Sequence, residues 1–277
     1  MTADVVHSDA PDPKTVTVDD ADEAMTEASS VGADDERSDD EAGDVDDRGE
    51  IRLPDGIDYY DLDRDIRAGL RSLPKGLAEN VGKRILAVAG LIDVDAEQAL
   101  AHALVARRMA SRIAVVRETV GVAAYQAGQW QMAIGELRTA QRLSGTRDHV
   151  AMIADSERAL GRPERAVDAY RELDADSVAP EVRIELLIVA AGARRDLDQN
   201  AAAVAMLQVP ELESKEPWAK RLQFAYADAL AAQGRADEAK KWFTKVVQAD
   251  ENDEFGAAER LLELDGVAWI AEPEDPS

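Results

Sequence analysis

Three glycines separate stretches of helical periodicity at nearly regular intervals. Gly128 and Gly161 are 33 residues apart, and Gly234 follows 73 residues later, about two further steps. Five residues after each glycine stands an alanine, and four residues after that a large apolar residue; these are Ala133, Ala166 and Ala239, then Leu137, Tyr170 and Phe243. Glycine ends a helix readily because it adopts a left-handed backbone without strain. The small residue lets two helices approach, and the large one fills the next turn. The pattern predicts a series of helix–turn–helix units.

The same offsets extend the series in both directions. Val94 is followed by Ala99, and Asp196 is followed more weakly by Ala201, so the turns fall at residues 94, 128, 161, 196 and 234. Apolar residues between the turns recur three or four positions apart, which is typical of amphipathic helices. We therefore expect an all-α fold of about five helix pairs, with no strand of useful length.

Charge divides the chain into unequal parts. Residues 1–50 carry a net charge of −15 out of −25 and contain no aromatic residue, Leu or Ile. Such a segment cannot bury enough apolar surface to offset the entropy of ordering, so we expect a disordered acidic tail there. We assign 51–74 to a linker and short capping helix begun by Asp61 or Asp63. The helical repeats occupy 75–265, ending in a capping helix begun by Asn252, and 266–277 form a C-terminal tail.

Composition argues against several classes of function. The strongly negative charge disfavours general nucleic-acid coating, and the absence of Cys excludes disulfides and thiolate sites. Only three His are present, and the acidic run that begins at Asp61 has Ile66 and Ser72 where a calcium loop needs Gly and an acid. His102 and His149 are interpreted as packed or surface residues. We expect no catalytic residues, metal or cofactor. With no visible targeting or membrane segment, the expected location is the cytoplasm.

Two segments bring in a family resemblance. The run from Ala123 through Gly128 and Trp130 to Ala133 resembles a tetratricopeptide repeat (TPR), and so does the run from Ala227 through Gly234 to Ala239. The family's Pro near the end of each unit is missing here. The resemblance implies a right-handed superhelix that acts as a non-enzymatic adaptor or scaffold. Its partner would be a protein or peptide held in the concave groove.

In the resembled family, the first helix of each pair lines that groove. Transferred position by position, the resemblance implies these partner-binding residues: Arg84, Glu118, Tyr125, Gln126, Asp155, Arg158, Arg183, Arg194, Arg221, Phe224 and Asp228. The family's carboxylate clamp uses clustered Lys and Asn. Asn occurs here only at 80, 200 and 252, which disfavours that specificity.

Two alternatives remain open. Residues 64–117 carry a net charge of +5, which suggests a basic surface for an acidic partner such as a nucleic acid. In that case the acidic tail would compete with the acidic partner for this surface. Residues 34–50 would contact the face that carries Arg84, Arg108 and Arg112. The second alternative is an enzyme with a site built from groove residues.

Overall fold

The computed structural model describes residues 51–250 and 252–266. In these residues the fold is all-helical, and turns, short loops and 3₁₀ segments connect the helices. The α-helices are α1 (Arg64–Gly69), α2 (Lys75–Leu91), α3 (Ala96–Ala110), α4 (Ala114–Gln126), α5 (Trp130–Ser144), α6 (Val150–Ala159), α7 (Pro163–Arg171), α8 (Pro180–Asp196), α9 (Asn200–Leu207), α10 (Ala219–Ala232), α11 (Ala236–Ala249) and α12 (Ala257–Leu264). The expected acidic tail and most of the C-terminal tail lie outside the described residues.

Helices α2 to α11 form five consecutive antiparallel pairs: α2 with α3, α4 with α5, α6 with α7, α8 with α9, and α10 with α11. The first helices also contact one another along the series, α6 with α8 and α8 with α10. This is a TPR-like superhelix. The expectation of an all-α array of about five pairs is confirmed.

Small buried residues hold each pair together. Ala133, Ala166 and Ala239 are fully buried between their paired helices, and Leu137 and Phe243 fill the adjoining turn. Close packing at an alanine leaves no room for a larger side chain, so overpacking there costs about 1–3 kcal/mol. The sequence offsets therefore reflect the packing inside each unit.

The turns confirm three of the predicted positions and correct a fourth. Gly128, Gly161 and Gly234 all have left-handed backbones, with φ of 68°, 72° and 82°. In the fourth unit the left-handed residue is Asp198, with φ of 59°, and not Asp196, which still belongs to α8. Asp is one of the few residues other than Gly that adopt this conformation at modest cost.

This shift changes which alanine packs in the fourth unit. Ala203, five residues after Asp198, is fully buried, whereas Ala201 is exposed. Leu207 then takes the position of the large apolar residue and is almost completely buried. The prediction that Ala201 packs between the paired helices was wrong because the chain makes its turn two residues later than Asp196.

The first helix, α1, and the last helix, α12, start in different ways. Asp63 caps α1, since its carboxylate accepts hydrogen bonds from the backbone N–H groups of Asp65 and Ile66. The final helix starts at Ala257 and not at Asn252, because Gly256 has a left-handed backbone that cannot continue a helix. Ala257 is fully buried, while Leu262 is 36% exposed.

None of the described helices combines the length and the apolar character that crossing a bilayer requires.

Candidate functional site

A cavity of about 800 Å³ runs along the first helices of the last four pairs. It is lined by side chains of α4, α6, α8 and α10, and Phe255 before α12 lies at one end. The apolar part of the wall is formed by Ala151, Met152, Val182, Ile188, Val189, Leu207, Phe224, Ala225 and Phe255. We call this cavity the groove.

The groove wall repeats the same register positions in successive units. Ala151, Ile188 and Phe224 each stand ten residues before the left-handed turn residue of their unit. Met152, Val189 and Ala225 stand nine residues before it, and Asp155, Gly192 and Asp228 stand six before it. Positions separated by one and then three residues share one face of an α-helix. Stacking of equivalent first helices therefore builds a continuous wall.

Arg158 is the centre of the polar contacts in the groove. Its Nη1 donates to Asp155 Oδ1 at 2.8 Å, and its Nε donates to Asp196 Oδ2 at 2.8 Å, which links α6 to α8. Burial of the guanidinium lowers its pKa, but the hydrogen bonds and charges of Asp196 and Asp155 outweigh that effect and raise the pKa above its usual value. Arg158 is therefore a fixed cation that is already engaged by two carboxylates.

Tyr125 extends this network to the preceding unit. Its hydroxyl donates to Asp155 Oδ2 at 2.7 Å, so α4 is joined to α6. Burial, together with the hydrogen bond to Asp155 and the charge of that carboxylate, raises the pKa of Tyr125 well above its usual value. The phenol is therefore held in its protonated, donating form.

Two further sets of contacts tie α8 to α10. Arg195 of α8 donates to Asp228 of α10, whose second oxygen accepts from Arg260 of α12. Arg221 pairs with Glu185 at 2.9 Å between Nε and Oε2. Burial raises the pKa of Glu185, and the charge of Arg221 opposes that rise. The first helices are thus cross-linked along the groove by ion pairs.

These pairs leave an unequal balance of charge. Each of the arginines that line the groove, Arg158, Arg195 and Arg221, is bonded to a carboxylate. By contrast, Asp148 and Glu181 also line the groove, are exposed, and make no side-chain hydrogen bond or ion pair within the described ranges 51–250 and 252–266. They stand at the amino-terminal ends of α6 and α8, on the same rim. The charge available to a ligand is therefore negative.

Aromatic side chains border the end of the groove nearest α12. The ring of Phe224 meets Phe243 edge-on at a centroid distance of 5.4 Å, and it meets Phe255 at 6.2 Å. Phe243 is fully buried, while Phe224 and Phe255 remain partly exposed to the groove. Such aromatic surface offers a ligand large contact area at little entropic cost.

The structure brings most of the residues implied by the family resemblance together. Seven of them line the groove: Tyr125, Gln126, Asp155, Arg158, Arg221, Phe224 and Asp228. Glu118 is adjacent, because its Oε1 lies 2.9 Å from Nε2 of the groove residue His149. Arg183 bonds to Glu211, and Arg194 bonds to Gln199 at the turn into α9. Neither Arg183 nor Arg194 lines the groove.

Arg84 lies elsewhere than the sequence prediction placed it. The family resemblance implied that Arg84 lines the groove, but its Nη1 lies 2.9 Å from His102 Nδ1 of α3 and bonds to the carbonyl of Ile51. Arg84 is 6% exposed, because its guanidinium packs between the paired helices. His102 is fully buried beside it, as a packed histidine.

The basic segment 64–117 is partly neutralised in the fold. Arg107 of α3 and Arg117 of α4 both bond to Glu136 of α5, a carboxylate that is only 7% exposed. Together with the burial of Arg84, these contacts direct several of the segment's cations inward. The predicted contacts of 34–50 with this surface fall outside the described residues.

Sequence reasoning missed Arg195, Glu185 and Asp196. Arg195 stands three residues before Asp198, just as Tyr125 and Arg158 stand three residues before Gly128 and Gly161. The correct fourth turn would have identified it. Within the described residues, no group of three or more His, Cys, Asp or Glu side chains is placed to hold a metal ion.

The chain was compared with curated proteins and with models of protein families. A comparison with curated proteins returned no match. Residues 221–253, which cover all but the first two residues of α10 and the whole of α11, match the model of the tetratricopeptide repeat family. Together with the helix pairs that precede them, this match makes the chain a TPR-like helical-repeat protein.

Proposed function

We propose that the protein is a non-enzymatic adaptor whose groove binds a peptide segment of a partner protein. The observation that carries the proposal is the groove itself, where apolar side chains at equivalent positions of α6, α8 and α10 form a wall with polar groups at its rim. Apolar surface that stays open on a folded domain is a common feature of binding sites. An elongated wall across several helices suits a chain segment, which can place side chains at intervals along it.

Selection from a displayed library of random peptides tests this proposal. The full chain serves as bait, and selected peptides are retested against two variants of α6. Ala151→Trp fills the groove, because Ala151 lines it and is partly exposed. Ala159→Trp is the matched control, since Ala159 is exposed on the same helix but does not line the groove.

We expect binding to be lost in Ala151→Trp and kept in Ala159→Trp, with both variants folded by circular dichroism. Two results would contradict the proposal. Either no peptide is enriched, or the enriched peptides bind Ala151→Trp as well as they bind the wild type.

A further inference from the structure

We infer that the groove recognises a partner segment that carries Lys or Arg among apolar residues, and that Asp148 and Glu181 select these cations. The inference rests on the proposed function and names the chemistry of the partner. It follows from the state of each charged side chain in the groove wall, not from the sign of the whole chain.

Among residues 51–250 and 252–266, every arginine of the groove wall is already bonded to a carboxylate, so an acidic ligand would meet no available arginine there. Arg158 is bonded to Asp155 and Asp196, and Arg195 and Arg221 are each bonded to a carboxylate of their own. A ligand carboxylate would have to displace one of these partners. The displaced acid would then be left partly desolvated beside the ligand, which is costly.

A basic ligand meets the opposite situation. Asp148 and Glu181 are exposed carboxylates on one rim, without a partner among the residues of 51–250 and 252–266. Glu118, which is close to this rim through His149, adds a third acid on the same side. A ligand cation there gains charge complementarity without breaking a contact inside the protein.

The apolar wall supplies the rest of the recognition. Ile188 and Phe224 occupy equivalent positions in consecutive first helices, and Phe255 lies at the end of the groove. A segment that places apolar side chains on this wall brings its flanking cations to the acidic rim. The partner is therefore a basic, apolar segment, and the chain's own acidic residues 1–50 do not have that composition.

Three short synthetic peptides test the inference. They share the same Leu and Phe positions and differ only in carrying Lys, Gln or Glu at the remaining positions. Binding to the full chain is measured by fluorescence anisotropy. We expect the Lys peptide to bind most tightly and the Glu peptide most weakly. The difference should shrink as salt approaches about 1 M, where the Debye length falls to ~3 Å.

Charge-neutral variants separate the rim from the general negative charge of the protein. Asp148→Asn and Glu181→Gln should each lower the affinity for the Lys peptide by up to about fivefold, which corresponds to the loss of one exposed ion pair. The Gln peptide should be unaffected. The matched controls are Glu164→Gln and Glu172→Gln on and just after α7, which remove the same charge from exposed positions outside the groove.

The outcomes distinguish this inference from the proposed function. Equal weakening by the rim variants and the α7 controls would overturn the inference, because general attraction would then explain the preference. So would tighter binding of the Glu peptide, or no binding of the Lys peptide. If library selection at the same time yields groove-dependent peptides without Lys or Arg, the proposed function stands and only the inference fails. If no peptide depends on the groove, both fail.

Discussion

The guanidinium of Arg158 occupies the space that a side chain at residue 192 would need. A Cβ atom built on Gly192 would lie 2.9 Å from Cζ and from both terminal nitrogens of Arg158. The ion pair between α6 and α8 therefore depends on a residue that has no side chain. Gly192 occupies the position that Asp155 and Asp228 occupy in the neighbouring units. The absence of a side chain at this position leaves room for the guanidinium of Arg158.

Gly192→Ala should fail to give the stabilisation of 0.5–1 kcal/mol or so that alanine ordinarily brings over glycine inside a helix, because a partly exposed ion pair of similar worth is lost. The reason is that the added methyl group displaces Arg158 from Asp196. Chemical denaturation measures the effect. Gly135→Ala in α5 is the control, because nothing lies within 4 Å of the new Cβ, and it should stabilise. In an Arg158→Gln background Gly192→Ala should recover that stabilisation, and a gain that stays absent there would rule out this explanation.

Ala203→Leu should cost about 1–3 kcal/mol of folding free energy, because Ala203 is fully buried between α8 and α9. Ala201→Leu, two residues earlier and exposed, should change stability by less than about 0.5 kcal/mol. The two variants add the same side chain to the same helix. Their midpoints of urea denaturation test whether the fourth turn is at Asp198. Equal losses in both would contradict the position of the turn.

Tyr125 should resist ionisation at alkaline pH. Burial and the hydrogen bond to Asp155 raise its pKa, whereas an unperturbed tyrosine titrates near 10 or so. A spectrophotometric titration of the wild type minus that of Tyr125→Phe isolates this phenol. The difference should show no tyrosinate through the ordinary range while the protein stays folded. A normal ionisation step would mean that the hydroxyl is not held by Asp155 in solution.

Glu185 should titrate above the ordinary range for a glutamate, because burial is the largest influence on it and raises its pKa. Because the folded-state pKa is raised, the stability linked to Glu185 is greatest at low pH and declines as pH rises through that pKa. Carbon-detected NMR of the side chain measures the titration directly. Arg221→Gln removes an influence that lowers the pKa, so the value should rise further in that variant. A lower pKa of Glu185 in Arg221→Gln would show that Arg221 does not act on Glu185 in this way.

Periodicity in the sequence was sufficient to predict the helix pairs, because alanine and glycine positions report directly on packing and turn geometry. Tyr125, Asp155 and Arg158 were assigned to the groove face through the family resemblance, and all three line the groove. The contacts between units, from Tyr125 to Asp155 and from Arg158 to Asp196, could not be predicted, since they depend on how adjacent units rotate against each other. Arg84 shows the limit clearly. Its burial beside His102 of α3 is a relation between two helices that no spacing within α2 reveals.

The fourth unit shows how one local error spreads. Placing the turn at Asp196 moved the predicted packing alanine by two positions. In the same unit the resemblance implied Arg194 as a groove residue, whereas Arg195 lines the groove. Successive residues of an α-helix differ by about 100° in direction, so even a shift of one changes what a side chain faces. The sequence suggested a polar turn there but not which Asp would adopt the left-handed backbone.

The ion pairs of Glu136 affect which helices of the array unfold together. Its carboxylate is shared by Arg107 of one helix pair and Arg117 of the next, so the contact spans a unit boundary. In a linear array, local opening proceeds wherever neighbouring units are least coupled. The amides of α3, α4 and α5 should therefore exchange with solvent deuterium as one block. The segment that opens cooperatively then spans three helices, whereas the repeat that is visible in the sequence spans two.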